Sequence, residues 1–289
     1  MLARLALSLT LAALSISAIA RAQPPSFSVQ VEGKGPAMIL IPGLNCGGEV
    51  WRETVNHYKG RYEVHTLTLA GFAGQPAIDK PLLETVRKDL TRYIQEKHLN
   101  KPVVMGHSLG GFLAELIAST DPASVGAVIA VDGVPFLPAL FDAKATVKTA
   151  EPQAAQLRDR LRSLPIDAYR AGARASVTQL VTDPAQVERV AKMSYRSDPW
   201  TSGGAIYELM TTDLRDRVAK ISAPLLLLAA GGILPEEQRE SARARYEAQV
   251  AAAPHHKVVM VENARHFIML DSPEVFLAQV DGFLAQEGK

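Results

Sequence analysis

The sequence predicts an α/β fold: a mostly parallel central sheet with helices on both faces and a helical insertion ahead of its last two strands. Three observations carry this. Short, almost wholly apolar runs (AMILI at 37–41, PVVMG at 102–106, PLLLLAA at 224–230) suit strands buried on both faces. Amphipathic segments alternate with them, as parallel strands require covering crossovers. Between about 134 and 215 that alternation stops, and the residues read as helices broken by Pro138, Pro152, Pro165, Pro184 and Pro199.

Residues 1–22 precede the fold. A basic start (Arg4), an apolar run from Leu5 to Ile19 and small residues around Ala20–Ala22 form a signal-peptide pattern, with cleavage after Ala22. The run is short for a membrane span and is broken by Ser and Thr. An exported protein, periplasmic or extracellular and without stable membrane insertion after cleavage, is expected. Residues 23–289 then form one domain. Loss of Arg4 and Arg21 from a chain with 31 Lys+Arg and 30 Asp+Glu leaves a formal charge of −1. Without a basic stripe, no nucleic-acid partner is expected. The single cysteine, Cys46, cannot form an intramolecular disulfide, so the fold must stand on its core.

In the domain, Phe27, Val29 and Val31 alternate with polar residues as a half-exposed strand, and AMILI follows as a central one. YEVHTLTLAG (62–71) reads as a strand. LLETVRKDLTRYIQEK (82–97) is a helix with Leu83, Val86, Leu90, Tyr93 and Ile94 on one face. PVVMG, LGGFLAELIAST (109–120) and VGAVIAVDG (125–133) give strand, helix, strand. PLLLLAA and HKVVMVE (256–262) are strands flanking a helix over roughly 235–252. SPEVFLAQVDGFLAQ (272–286) is a last helix with Ser272 as cap and Pro273 in its first turn. The insertion at about 134–215 is expected to form a lid over the carboxyl ends of the strands, where open α/β sheets bind ligands.

The strongest chemical signal is Gly106-His107-Ser108-Leu109-Gly110. It matches G-x-S-x-G between a strand and a helix, the context that turns a serine into an exposed nucleophile. The glycines let the turn pass without clash. The Leu109 N–H, at the helix start, can face a developing oxyanion. A nucleophilic serine needs a base, and His266 lies on the loop after the last predicted strand. His107 adjoins Ser108, but neighbouring side chains at such a turn point apart. His57, His65, His98, His255 and His256 read as surface or strand residues.

PVVMGHSLGGFLA, with LIPGLNCGGEVW (40–51) before it and ENARHFIMLDSPEVF (262–276) after it, resembles the α/β-hydrolase superfamily, in particular exported, lid-bearing bacterial members of poorly defined substrate. The resemblance covers essentially all of the mature chain. It implies that the Leu44 N–H is the second oxyanion donor and that His266 is the base. Where relatives often carry His-Gly, this chain has Pro42-Gly43. Cys46 reads as a packing residue there, and Trp51 as the aromatic that packs this loop.

The superfamily commonly places its acid after the strand written here PLLLLAA, yet no Asp occurs from Arg217 to Leu270. Glu236 and Glu237 are the nearest carboxylates, and a helix N-terminus explains them adequately. Asp132, at the end of VIAVDG, lies on the same sheet edge as Ser108. Some superfamily members carry the histidine-orienting carboxylate there, so Asp132 is the favoured acid; its other reading is a residue holding the hinge at Gly133. Asp213 reads as a helix cap. Arg265 reads as a wall of the site or a solvent-facing charge.

The expected function is a serine hydrolase of small to medium, uncharged or apolar carboxylic esters, acting through an acyl-enzyme intermediate without metal or other cofactor. An aminopeptidase, thioesterase or lactonase would use the same machinery. A non-catalytic ligand-binding protein on this scaffold is the reading from a different class. Of Phe136, Leu137, Leu140, Phe141, Tyr169, Tyr195, Trp200, Tyr207 and Met210 some must form the insertion's own core, which is compatible with an apolar acyl pocket whose shape the sequence does not give.

Overall fold

The computed structural model describes residues 24–232 and 234–287; the expected signal segment lies outside them. Seven strands form one sheet: β1 (Phe27–Gly33), β2 (Ala37–Ile41), β3 (Glu63–Leu69), β4 (Val103–His107), β5 (Ala127–Val131), β6 (Leu225–Ala230) and β7 (His256–Val261). Their spatial order is β1-β3-β2-β4-β5-β6-β7. β1 runs antiparallel to β3, and every other pairing is parallel. β1 is the amphipathic edge, which is why its polar residues alternate and Val31 stays exposed.

The strand period of two feeds two cores. Ile39 and Ile41, Val128 and Ala130, and Leu225 and Leu227 face one side, while Met38 and Leu40, Ile129 and Val131, and Leu226 and Leu228 face the other. On the first side lie α2 (Leu82–Glu96), α3 (Leu109–Thr120) and, after β6, the helix Glu236–Val250. On the second lie α1 (Arg52–Tyr58) and the last helix, Pro273–Glu287, with Trp51 buried against Phe276. Burial on both faces explains why the central strands read as unbroken apolar runs.

Between β5 and β6 come α4 (Val147–Ser163), α5 (Ile166–Leu180), α6 (Pro184–Tyr195) and α7 (Pro199–Thr211). α4 packs on α7 and α5 on α6. Asp183 and Asp198 cap α6 and α7 through the Ala185 and Thr201 amides, each with proline at the first helical position. Pro152 does not break the chain as its residue type suggests; it lies inside α4. It removes the amide that would bond the Lys148 carbonyl, and Lys148 is exposed, so water can serve that oxygen. Asp213 also departs from the expectation: it accepts the Arg215 amide and guanidinium in a turn rather than capping a helix. The helices after β6 are α8 (Glu236–Val250), α9 (Ile268–Asp271) and α10 (Pro273–Glu287).

Candidate active site

The site forms at the carboxyl ends of β4, β5 and β7. β4 ends in a turn so sharp that Ser108 takes φ 53° and ψ −118°, a strained backbone for a residue with a side chain. Its amide still donates to Val131 O (2.8 Å), and its carbonyl accepts from Phe112 N (3.0 Å), so the turn is held at both ends. The two flanking glycines are required by close approach: a Cβ at Gly106 would lie 2.0 Å from Gly110 O, and one at Gly110 would lie 2.2 Å from Ile41 O. Ser108 lines a cavity of about 420 Å³ together with His266 and Leu44.

The Leu109 N–H stands at the first position of α3, and the Leu44 N–H follows Gly43 in the turn closed by Cys46 N donating to Gly43 O. Among the described residues, neither amide donates to a protein acceptor. The insertion supports this loop: Asn45 Oδ1 accepts from Ser202 Oγ (2.5 Å), which also meets the Tyr169 hydroxyl (2.9 Å). Cys46 is fully buried and outside the cavity lining. Burial, then the charge of Glu49, pushes its thiol up to about 12, so it persists as an inert thiol packed beside the loop.

His266 sits on the loop after β7. Its Nδ1–H donates to Asp132 Oδ2 at 2.6 Å, leaving Nε2 as the nitrogen free to take a proton. Asp132 occupies the end of β5 in a left-handed conformation (φ 49°), and its amide donates to Leu228 O (2.7 Å). Its second oxygen, Oδ1, accepts from Ala230 N (3.0 Å) and from the Tyr246 hydroxyl (2.8 Å). Burial, and after it the Asp132 charge, raises the Tyr246 phenol above its ordinary range, so it remains a donor. Ser108 and His266 face the same cavity, and among the described residues Ser108 Oγ makes no hydrogen bond.

Glu236 and Glu237 are exposed in the first turn of α8 and do not contact His266. The stretch that lacks an Asp instead uses its backbone: Gly231 N donates to Val261 O (3.0 Å) and Gly232 N to Ala264 O (2.8 Å), two residues before His266.

Three further residues steady the histidine loop. His107 packs its ring 4.6 Å from that of His266 and donates from Nε2 to the His266 carbonyl (3.0 Å). Full burial, with the nearby His266, holds its imidazole well below the usual range and therefore neutral. The loop after β7 folds over the end of β4, which brings His107 against His266. Asp271 accepts from Arg265 N (2.9 Å), Thr182 N (2.9 Å) and Thr182 Oγ1 (3.0 Å). Arg265 does not line the cavity; half-buried, its guanidinium donates to the Thr178 and Val181 carbonyls at the end of α5, where a cation suits the helix dipole.

The cavity wall comes from the insertion, but not chiefly from its aromatics. Of those residues only Tyr169 lines it, whereas Phe141 and Trp200 are 83% and 63% exposed. Phe136 is buried in a small cluster with Ala139, Ala145 and Ala150. The apolar wall is Leu157 and Leu161 of α4, Leu164 just past its end, Val177 and Leu180 of α5, and Val190 of α6. Spacing of four along α4 puts Leu157 and Leu161 on one helical face. No Asp or Glu lines the cavity among the described residues. Glu188 pairs with Arg174, Asp198 caps α7, and Glu208 accepts the Leu82 and Leu83 amides.

Sequence reasoning did not single out Tyr246, the Ala230 amide or the role of His107. Tyr246 lies on the buried face of α8 with Ala242, Gln249 and Val250, where a tyrosine reads as core.

The Alpha/beta hydrolase family model matches residues 38–279. The pimeloyl-[acyl-carrier protein] methyl ester esterase of Aliivibrio salmonicida is 23% identical over 263 residues, 89% of this chain and 95% of its own length. The Vibrio cholerae protein of the same name is also 23% identical, over 88% of this chain and 96% of its own. Among solved structures, an enol-lactonase from Burkholderia xenovorans superposes with TM-score 0.74 at 16% identity, covering 90% of this chain and 96% of that one. A thermophilic esterase from Thermogutta terrifontis does so with TM-score 0.75 at 19% identity, covering 91% and 94%. With its sheet order, its helical layers and a family match spanning most of its length, the chain belongs to the alpha/beta hydrolase family.

Proposed function

We propose that this hydrolase is a serine enzyme acting on small to medium carboxylic esters with an apolar acyl part. The observation that carries the reading is the 2.6 Å contact of His266 Nδ1 with Asp132, on a histidine that shares its cavity with the strained Ser108. Ser108 Oγ attacks the ester carbonyl as His266 Nε2 takes its proton, and Asp132 stabilises the imidazolium that forms. The Leu44 and Leu109 amides hold the oxyanion. His266 then gives the proton to the leaving alcohol, and water activated by the same nitrogen releases the acid.

The leucine- and valine-rich wall suits an apolar acyl chain, and the curated relatives named as esterases support ester chemistry. An aminopeptidase would need a carboxylate to meet the substrate amine, and the described cavity lining has none. Thioesters and lactones would use the same steps, so an ester, thioester and lactone panel ranks them.

A fluorophosphonate probe tests the reading. Labelling in the wild type that disappears in S108A and falls sharply in H266A supports it; folded wild-type protein that takes no label at Ser108 defeats it, in favour of a binding protein on this scaffold. Residues 1–22 further suggest export, with the insertion serving as a lid. Mass spectrometry of protein recovered from the periplasm or medium should find an N-terminus at Gln23, and an uncleaved cytoplasmic protein would overturn that part.

A further inference from the structure

The Asp132 carboxylate is held on both sides. Oδ2 faces His266, while Oδ1 receives two donors from elements that hold no catalytic group: the Ala230 amide at the end of β6 and the Tyr246 hydroxyl from α8. The end of β6 thus supplies a donor to a carboxylate held at the end of β5. α8 also reaches the same loop a second time, because Gln249 Oε1 accepts from Phe136 N (2.9 Å), four residues beyond Asp132.

We propose that Tyr246 is a positioning residue for the hydrolytic reaction: its hydroxyl, with the Ala230 amide, fixes the Asp132 carboxylate so that Oδ2 stays on His266 and part of its charge is drawn to Oδ1. This rests on the ester-hydrolase reading above. The physical reason is twofold. A left-handed residue at a strand end has a side chain that can rotate, and two donors on one oxygen leave a single orientation. Donors on a carboxylate also spread its charge, which moderates how strongly it favours the imidazolium.

Few other ionisable groups surround the pair; Arg160 of α4 lines the same cavity as His266. His107, from β4, is neutral. Arg265 is directed at the α5 carbonyls, and Asp271 is engaged by Thr182 and the Arg265 amide. Arg245 adjoins Tyr246 on α8, and Glu236 and Glu237 lie ten and nine residues away at the other end of that helix, about 15 Å by the helical rise.

The test is Y246F, with Q249L as its control. Q249L breaks the brace on the acid loop but leaves both donors on Asp132. For Y246F we expect kcat on a p-nitrophenyl ester to fall about tenfold, the size of one charge-assisted hydrogen bond. KM should stay within about twofold, because Tyr246 does not line the cavity. The acid limb of the kcat/KM–pH profile should move to higher pH, since the carboxylate charge is concentrated on the His266 side. Q249L should lower Tm without moving that limb. An unmoved or lowered limb in Y246F, or an equal movement in Q249L, overturns the proposal.

The 15N-imidazole titration of His266 in the resting protein gives the same readout without turnover. If the wild type hydrolyses no ester but the titration moves in Y246F, the hydrolase reading fails and the role of Tyr246 in holding Asp132 stands. If ester is hydrolysed and the titration does not move, the Tyr246 proposal fails alone.

Discussion

Asp132→Asn changes one atom and separates the candidate acids. An asparagine offers one oxygen and one NH2 group. The Ala230 amide and Tyr246 hydroxyl both donate to Oδ1, so the amide oxygen must settle there. The NH2 then faces His266 Nδ1, in the place of the oxygen that accepts at 2.6 Å. A donor facing Nδ1 forces the proton onto Nε2, and the imidazole can no longer accept the Ser108 proton. The expected loss is about 10⁴-fold in kcat, or about 5 kcal/mol of transition-state stabilisation, the size found when a triad acid becomes its amide. KM should change little, because Asp132 does not line the cavity. Steady-state hydrolysis of a p-nitrophenyl ester, with circular dichroism to establish folding, reads this directly. E236Q and E237Q should stay within about twofold of wild type, since both residues are exposed and away from His266. Folded D132N with more than about a tenth of wild-type activity would refute the reasoning, as would a larger loss in E236Q or E237Q.

Two further outcomes follow from groups outside the reacting atoms. Glu115 of α3 is fully buried, and neither carboxyl oxygen has a partner among the described residues. Burial holds its carboxyl well above the ordinary range. It therefore keeps its proton in the folded state and releases it on unfolding, so its contribution to stability falls as pH rises from the ordinary carboxylate range through its raised value. E115M should be more stable by about 1–3 kcal/mol at neutral pH and should flatten that decline; urea midpoints across pH that show E115M less stable, or equally pH-dependent, would contradict this. D271A removes the acceptor shared by Arg265 N and Thr182, so kcat should fall roughly three- to tenfold and stability by about 1–2 kcal/mol; unchanged kcat would show that this brace does not position His266.

The parts of this molecule legible in its sequence share a physical basis. AMILI, PVVMG and LLLLAA had to be central strands because no other element buries both faces of so short a run. The geometry of Ser108 was legible because only glycine tolerates the close approaches on either side of the turn. Asp132 was legible as a strand-end carboxylate on the right edge, and its pairing with His266 came from the family resemblance rather than from local pattern, since topology makes the contact between residues 132 and 266. The pocket wall was not legible for a similar reason. Aromatics such as Trp200 and Phe141 look like lining but face outward, while the leucines of α4 do the lining through a helical stripe that Pro152 disguised. Tyr246 carried no signal, because a donor to a carboxylate and a core tyrosine look alike in one dimension.

The most direct test of a Ser108–Asp132–His266 triad is a crystal structure of the protein after reaction with a fluorophosphonate. The account predicts phosphorus bonded to Ser108 Oγ, a phosphonyl oxygen within hydrogen-bond distance of the Leu44 and Leu109 amides, and His266 Nδ1 still on Asp132. An adduct on another residue, or His266 turned to Glu236 or Glu237, would contradict it.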